Sequence, residues 1–69
     1  MVRFESTAIW RAEYDADERL LQLWFAGDEQ PYGYRDVGED VFEALCQSDS
    51  KGRFFANEIR DRYEVVPPP

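Results

Sequence analysis

Apolar and polar positions alternate from residue 8 to 14, AIWRAEY, with Ala8, Trp10, Ala12 and Tyr14 on one side and Ile9, Arg11 and Glu13 on the other. Period two is the signature of a half-buried strand. DADE at 15–18 follows as a turn, because aspartate side chains bond their own following backbone. LLQLWFA at 20–26 alternates again, with Leu21, Leu23 and Phe25 opposite Leu20, Gln22, Trp24 and Ala26, so the two runs predict a hairpin. After a second turn at 27–30, PYGYRDV at 31–37 predicts a short third strand with Tyr32 and Tyr34 on one side, confined by Pro31 and Gly33 to a sheet edge or a bulge.

Past Gly38 the period changes to that of a helix. In EDVFEALCQ, 39–47, Val41, Phe42, Leu45 and Cys46 share one arc, and the acids Glu39 and Asp40 suit the positive end of the helix dipole. SDS at 48–50 supplies a cap for a second helix, whose apolar arc is Phe55, Ala56, Ile59 and Tyr63 and whose polar arc is Arg53, Asn57, Arg60 and Glu64. The prolines at 67–69 cannot extend a helix or pair centrally in a sheet, and predict an extended, flexible tail after a single domain at 1–66. The expected fold class is α+β: a three-stranded antiparallel sheet followed by two helices packed on one face, in the order β-β-β-α-α.

Composition narrows the chemistry. The chain has 69 residues, of which 43% are hydrophobic, so it folds but buries only about 60% of its unfolded surface. It has no histidine and one cysteine, Cys46, which removes an internal disulfide, the commonest general base and the commonest metal ligand; no cofactor or metal is expected. Cys46 lies on an apolar arc, where a thiol behaves as a small hydrophobe. Pairs such as Asp15 with Asp17, or Glu39 with Glu43, lack the enclosure that separates carboxyl pKa values, and read as solvated faces rather than acid–base machinery. No apolar run approaches the roughly 18 residues of a membrane span, and the N-terminus lacks a signal-like apolar region. The expectation is a non-catalytic protein of the cytoplasm, with no membrane contact.

The formal net charge is −7 and the pI about 4.3, which opposes a surface that attracts phosphate as a whole. Against that background Lys51, Arg53, Arg60 and Arg62 cluster around the pair Phe54 and Phe55. Lys51 and Arg53 fall in the first turn of the second helix, where the dipole disfavours cations by about 0.3–1 kcal/mol each, so something compensates. One reading is a phosphate held at that terminus by Lys51, Arg53 and the amide of Gly52, with Arg60 as a second prong. The other is a surface ion network with Asp49, Glu43 or Glu39. Phe54 projects off the apolar arc, either exposed for base stacking or buried beside Phe55. Tyr32 and Tyr34 form either an aromatic platform for RNA or part of the core, and Trp10 with Trp24 a surface patch for a protein partner.

The order of these features resembles the KTSC domain, a small bacterial and archaeal family found alone and at the C-terminus of some lysyl-tRNA synthetases. The resemblance covers roughly residues 6 to 64. It rests on STAI before the hairpin, YGY at Tyr32 to Tyr34, the run from Val37 to Leu45 containing VFEAL, and KGRFF followed by IRDRY closing at Tyr63. Gly38 stands where the family often has proline, and Ala56 precedes Asn57 where the family tends to have asparagine directly after the aromatic pair. The family has no assigned reaction, and attachment to a synthetase implies RNA binding only by association. Two functions follow as expectations: a module contacting RNA or another phosphate-bearing ligand, such as tRNA, through Lys51, Arg53, Phe54 and Arg60, or an acidic interaction module or inhibitor that engages a basic protein partner or mimics nucleic acid.

Overall fold

The structure, a computed structural model, describes residues 2–3 and 8–68. Ser6 and Thr7 of the STAI motif and Pro69 of the expected tail lie outside the described residues. The elements run β1 (Val2–Arg3), β2 (Ile9–Asp15), β3 (Leu20–Phe25), β4 (Tyr32–Tyr34), α1 (Glu39–Gln47), α2 (Lys51–Glu58) and β5 (Val65–Val66). The α+β class, with an antiparallel sheet followed by two helices, is as the sequence predicts. The sheet is larger than expected: five strands in the order β1-β2-β3-β4-β5, because a short strand at each end of the chain pairs onto the predicted three.

The β2–β3 hairpin sets the register, with Tyr14 opposite Leu21 and Ala12 opposite Leu23. Asp15 shapes its turn by accepting from the amides of Asp17 and Glu18 at 3.0 and 3.2 Å. Arg19 then takes a left-handed conformation, φ 53°, and its carbonyl accepts from the amide of Val37 at 2.9 Å. The alternation of β2 is broken, contrary to expectation. Ile9 opposes Phe25 while Arg11 opposes Trp24, so Trp10 is the extra residue of a bulge and Ile9 moves to the same side as Ala12. That shift buries Ile9 completely.

The third strand is not an edge. β5 pairs alongside it, Gly33 with Val66 and Tyr34 with Val65, and the ladder continues through the amide of Arg35 to the carbonyl of Glu64 at 3.0 Å. Gly33 suits that closeness, since a Cβ there would stand 3.2 Å from Leu20 Cδ1 and 3.5 Å from Val66 Cβ. The strand also ends earlier than residue 37, because Asp36 turns left-handed at φ 59°.

Both helices pack on one side of the sheet. The core is Ile9, Ala12, Leu21, Leu23, Tyr34, Val37, Leu45 and Ile59, with Val41, Phe42, Phe54, Phe55 and Tyr63 packed around it. Tyr14 stacks on Phe42 with centroids 5.4 Å apart, and its hydroxyl donates to the carbonyl of Val37, tying β2 to the start of α1. Phe55 meets Phe25 and Tyr34 edge-on at 5.0 and 5.6 Å, holding α2 to β3 and β4.

α2 is shorter than its sequence pattern. The carbonyl of Phe55 accepts from the amides of both Ile59 and Arg60, which closes the helix at Glu58 and turns the chain before Tyr63. Ile59 stays buried as its arc predicts, but Arg60 leaves the helical arc that it would have shared with Arg53.

The cation at the start of α2 has a structural partner. No basic residue lies in the last turn of α1. Lys51 Nζ instead reaches back and donates to the carbonyls of Cys46 at 3.0 Å and Ser48 at 2.6 Å, while the Ser48 hydroxyl donates to that of Leu45 at 2.8 Å. The ammonium thus sits on the negative end of α1, and this offsets its unfavourable place on α2. Ser50 caps α2 by accepting from the amide of Arg53 at 3.2 Å.

Two substitutions separate these contributions. Tyr14→Phe keeps the ring stack and deletes the hydroxyl bond, and is expected to cost about 1 kcal/mol, or roughly 4–8 °C in thermal midpoint for a domain of this size. Lys51→Met keeps the aliphatic stem and is expected to cost about 1–2 kcal/mol, whereas Arg53→Gln changes stability by less than about 0.5 kcal/mol. Thermal unfolding followed by circular dichroism checks all three, and equal effects at 51 and 53 contradict the capping role.

Candidate binding surfaces

Three regions carry the chemistry that the sequence singles out: the start of α2, the tyrosines of β4, and the sheet face opposite the helices. At the start of α2, a shallow concavity of about 280 Å³ is lined by Asp49, Arg53, Phe54, Asn57 and Glu58 with the serines at 48 and 50. Arg53 is exposed there, and Phe54 is half-buried against the core. Two carboxylates stand beside one guanidinium, so the hollow carries no net positive charge. Lys51 is turned toward α1, and Arg60 is exposed in the turn beyond the helix. The four residues therefore do not converge on one basic patch. Neither a phosphate nor an acidic side chain is needed to balance Lys51, because the α1 carbonyls do so.

Tyr32 and Tyr34 do share a strand side, as the alternation predicts, but it is the helix side. Tyr34 is 5% exposed, edge-on to Phe55, and Tyr32 is edge-on to Phe25 at 5.6 Å. Burial, with Tyr32 adding in the same direction, raises the pKa of the Tyr34 phenol. Two aromatics pinned by neighbouring rings present no open stacking platform. Cys46 is half-buried; burial pushes its thiol up, the Lys51 ammonium opposes that, and Glu43 reinforces it. A raised thiol pKa makes a poorer nucleophile at neutral pH.

The opposite face of the sheet carries Trp24, which the sequence offers with Trp10 as a surface patch and which the structure instead buries. Trp24 is only 9% exposed, because the Arg11 guanidinium lies 4.4 Å over its ring and is itself held by Glu13 at 2.8 Å. Beside it no described element covers β3, β4 and β5, and a concavity of about 470 Å³ opens there. Leu20, Pro31, Gly33 and Val66 line it with Pro67 and Pro68, and Glu18, Gln22, Gln30 and Arg35 add polar groups to the lining. Arg35 is paired with Glu64 at 3.4 Å. A second hollow shares Gln22 and is lined by Glu13, Asp15 and Asp17 with no basic residue. The alternation of 20–26 puts Leu20 and Gln22 on one side of the strand without saying which side faces the core, and the groove was not legible because Val66 of β5, a strand the sequence did not predict, helps to line it.

Among the described residues no group of three or more histidine, cysteine, aspartate or glutamate side chains is placed to hold a metal ion, and no helix is long and apolar enough to cross a membrane.

Comparison with known proteins places the architecture. A protein from Tsukamurella paurometabola is 39% identical over 62 residues, covering 90% of this chain and 91% of that one. The crystal structure of a KTSC domain protein from Yersinia pestis matches with a TM-score of 0.91 at 28% identity, over 99% of this chain and 94% of that one. The sequence profile of the KTSC domain matches residues 5–63, which takes in the hairpin, the YGY strand and both helices. This chain belongs to the KTSC domain family.

Proposed function

We propose that the chain is a small non-catalytic protein-interaction module whose uncovered sheet face and acidic surface engage a partner rich in lysine or arginine. The observation that carries this reading is the open face of β3–β5, an apolar concavity flanked by Glu18 and by the acidic hairpin of Glu13, Asp15 and Asp17. The net charge of −7 favours a cationic partner over a phosphate-bearing one. Contact with RNA through the second helix has weaker support: Lys51 is engaged with α1, and Arg53 shares its hollow with Asp49 and Glu58. A site of action in the cytoplasm agrees with a single half-buried cysteine.

Parallel titrations with poly-L-lysine and with tRNA, read by amide chemical shifts at an ionic strength of about 0.15 M, test the choice. Saturable shifts with poly-L-lysine that weaken as salt rises, and none with tRNA, are expected. Shifts at Arg53, Phe54 and Arg60 with tRNA, and none with poly-L-lysine, overturn the reading.

A further inference from the structure

We infer that the concavity on β3–β5 receives an extended peptide in which an apolar side chain is flanked by lysine or arginine, an assignment that rests on the interaction reading above. Its volume of about 470 Å³ is within the range of pockets that bury a compact ligand. Gly33 contributes no side chain, which lets Leu20 and Val66 close over it as apolar surface, and an apolar side chain entering the concavity meets Leu20, Pro31 and Val66. Val66 is 36% exposed, one of the two large hydrophobic side chains most open to solvent among the described residues. An apolar occupant removes that surface from water at roughly 25 cal/mol per Å².

The rim selects charge. Glu64 balances Arg35, which leaves Glu18 as the net charge of the groove, and the adjoining hollow across Gln22 adds Glu13, Asp15 and Asp17. A cationic residue two positions from the apolar one projects from the same side of an extended backbone, where Glu18 and, across Gln22, the acids of the adjoining hollow offer the opposite charge. The peptide lies across the sheet face rather than adding a strand beyond β5. Pro67 and Pro68 follow that strand and have no N–H to offer, which blunts the edge against pairing.

The probe is a blocked pentapeptide with leucine at its centre, lysine at both ends and glycine between, so that the three side chains share one side of an extended backbone; it is titrated into the full chain and followed by amide shifts. Two control peptides replace its lysines with glutamate or its leucine with serine. Shifts centred on Leu20, Gln22, Gly33 and Val66 are expected with the lysine–leucine peptide alone. Glu18→Lys and Val66→Ser, each with an otherwise unchanged spectrum, are expected to weaken binding about fivefold. Shifts confined to α1 around Glu39 and Glu43 overturn the groove assignment while leaving the interaction reading in place. Equal binding of the lysine–serine peptide overturns the apolar component, and with it the assignment. Concentration-dependent shifts at Gly33 and Val66 without peptide would put a second copy of the chain in the groove and likewise overturn it. Absence of any shift with the lysine–leucine peptide overturns this assignment, and the poly-L-lysine titration then decides separately whether the interaction reading stands.

Discussion

Phe55 holds the two layers together. Its ring sits edge-on to both Phe25 and Tyr34, with centroids 5.0 and 5.6 Å away, and Phe25 in turn meets Tyr32 edge-on at 5.6 Å. Edge-to-face pairs contribute about 0.5–1.5 kcal/mol each beyond the area they bury, a large share in a domain whose stability margin is thin. The cluster can form only if Phe25, Tyr32 and Tyr34 project from one sheet side, and the antiparallel pairing of Leu23 with Tyr32 and Leu21 with Tyr34 ensures that. Once the aromatic side of the sheet is covered by α2, those rings are packed into the core, and the side of β3–β5 turned away from the helices is the one left uncovered by any described element.

The second helix itself reads differently in that light. Its apolar half docks on the sheet and its first cation stabilises α1, so two of its most conspicuous residues, Phe55 and Lys51, work inside the fold. A lysine placed against a helix dipole is a local conflict. Here it is resolved three residues upstream, where the carbonyl ends of α1 supply the negative potential. Arg53, Arg60 and Arg62 remain at the surface among acids, Arg62 with Glu58 at 4.0 Å, an exposed pair of small energetic weight.

Much of this fold was legible in the sequence, and the exceptions share a cause. The strand 20–26, the turn at Asp15 and the helix at 39–47 are set by local periodicity and turn chemistry, and the structure places them where the pattern does. Ile9 lies on the side of Ala12, against the local alternation, because the bulge at Trp10 depends on register with Phe25 and Trp24, which no window around β2 contains. Local pattern assigns no strand to Val65 and Val66, because their partners, Tyr34 and Gly33, lie more than thirty residues earlier. For the candidate site, the clustering of Lys51 and Arg53 was visible but the carbonyls that receive Lys51 were not, since only the turn at 48–50 brings them near. The groove on β3–β5 is lined in part by Val66 of β5, so it was invisible for the same non-local reason.

The buried state of Tyr34 is the point on which the division of the sheet into a sealed and an open face rests. Burial holds the proton on its phenol, so above the ordinary value of about 10 the unfolded chain carries fewer protons than the folded one and stability falls as pH rises. The direct measurement follows the Tyr34 ring carbon bearing the hydroxyl through an alkaline titration of isotope-labelled chain by NMR. The account predicts that Tyr34 stays protonated above the free phenol value and ionises only at higher pH or as the fold opens. Ionisation of Tyr34 at the free phenol value, with the fold intact, would contradict it.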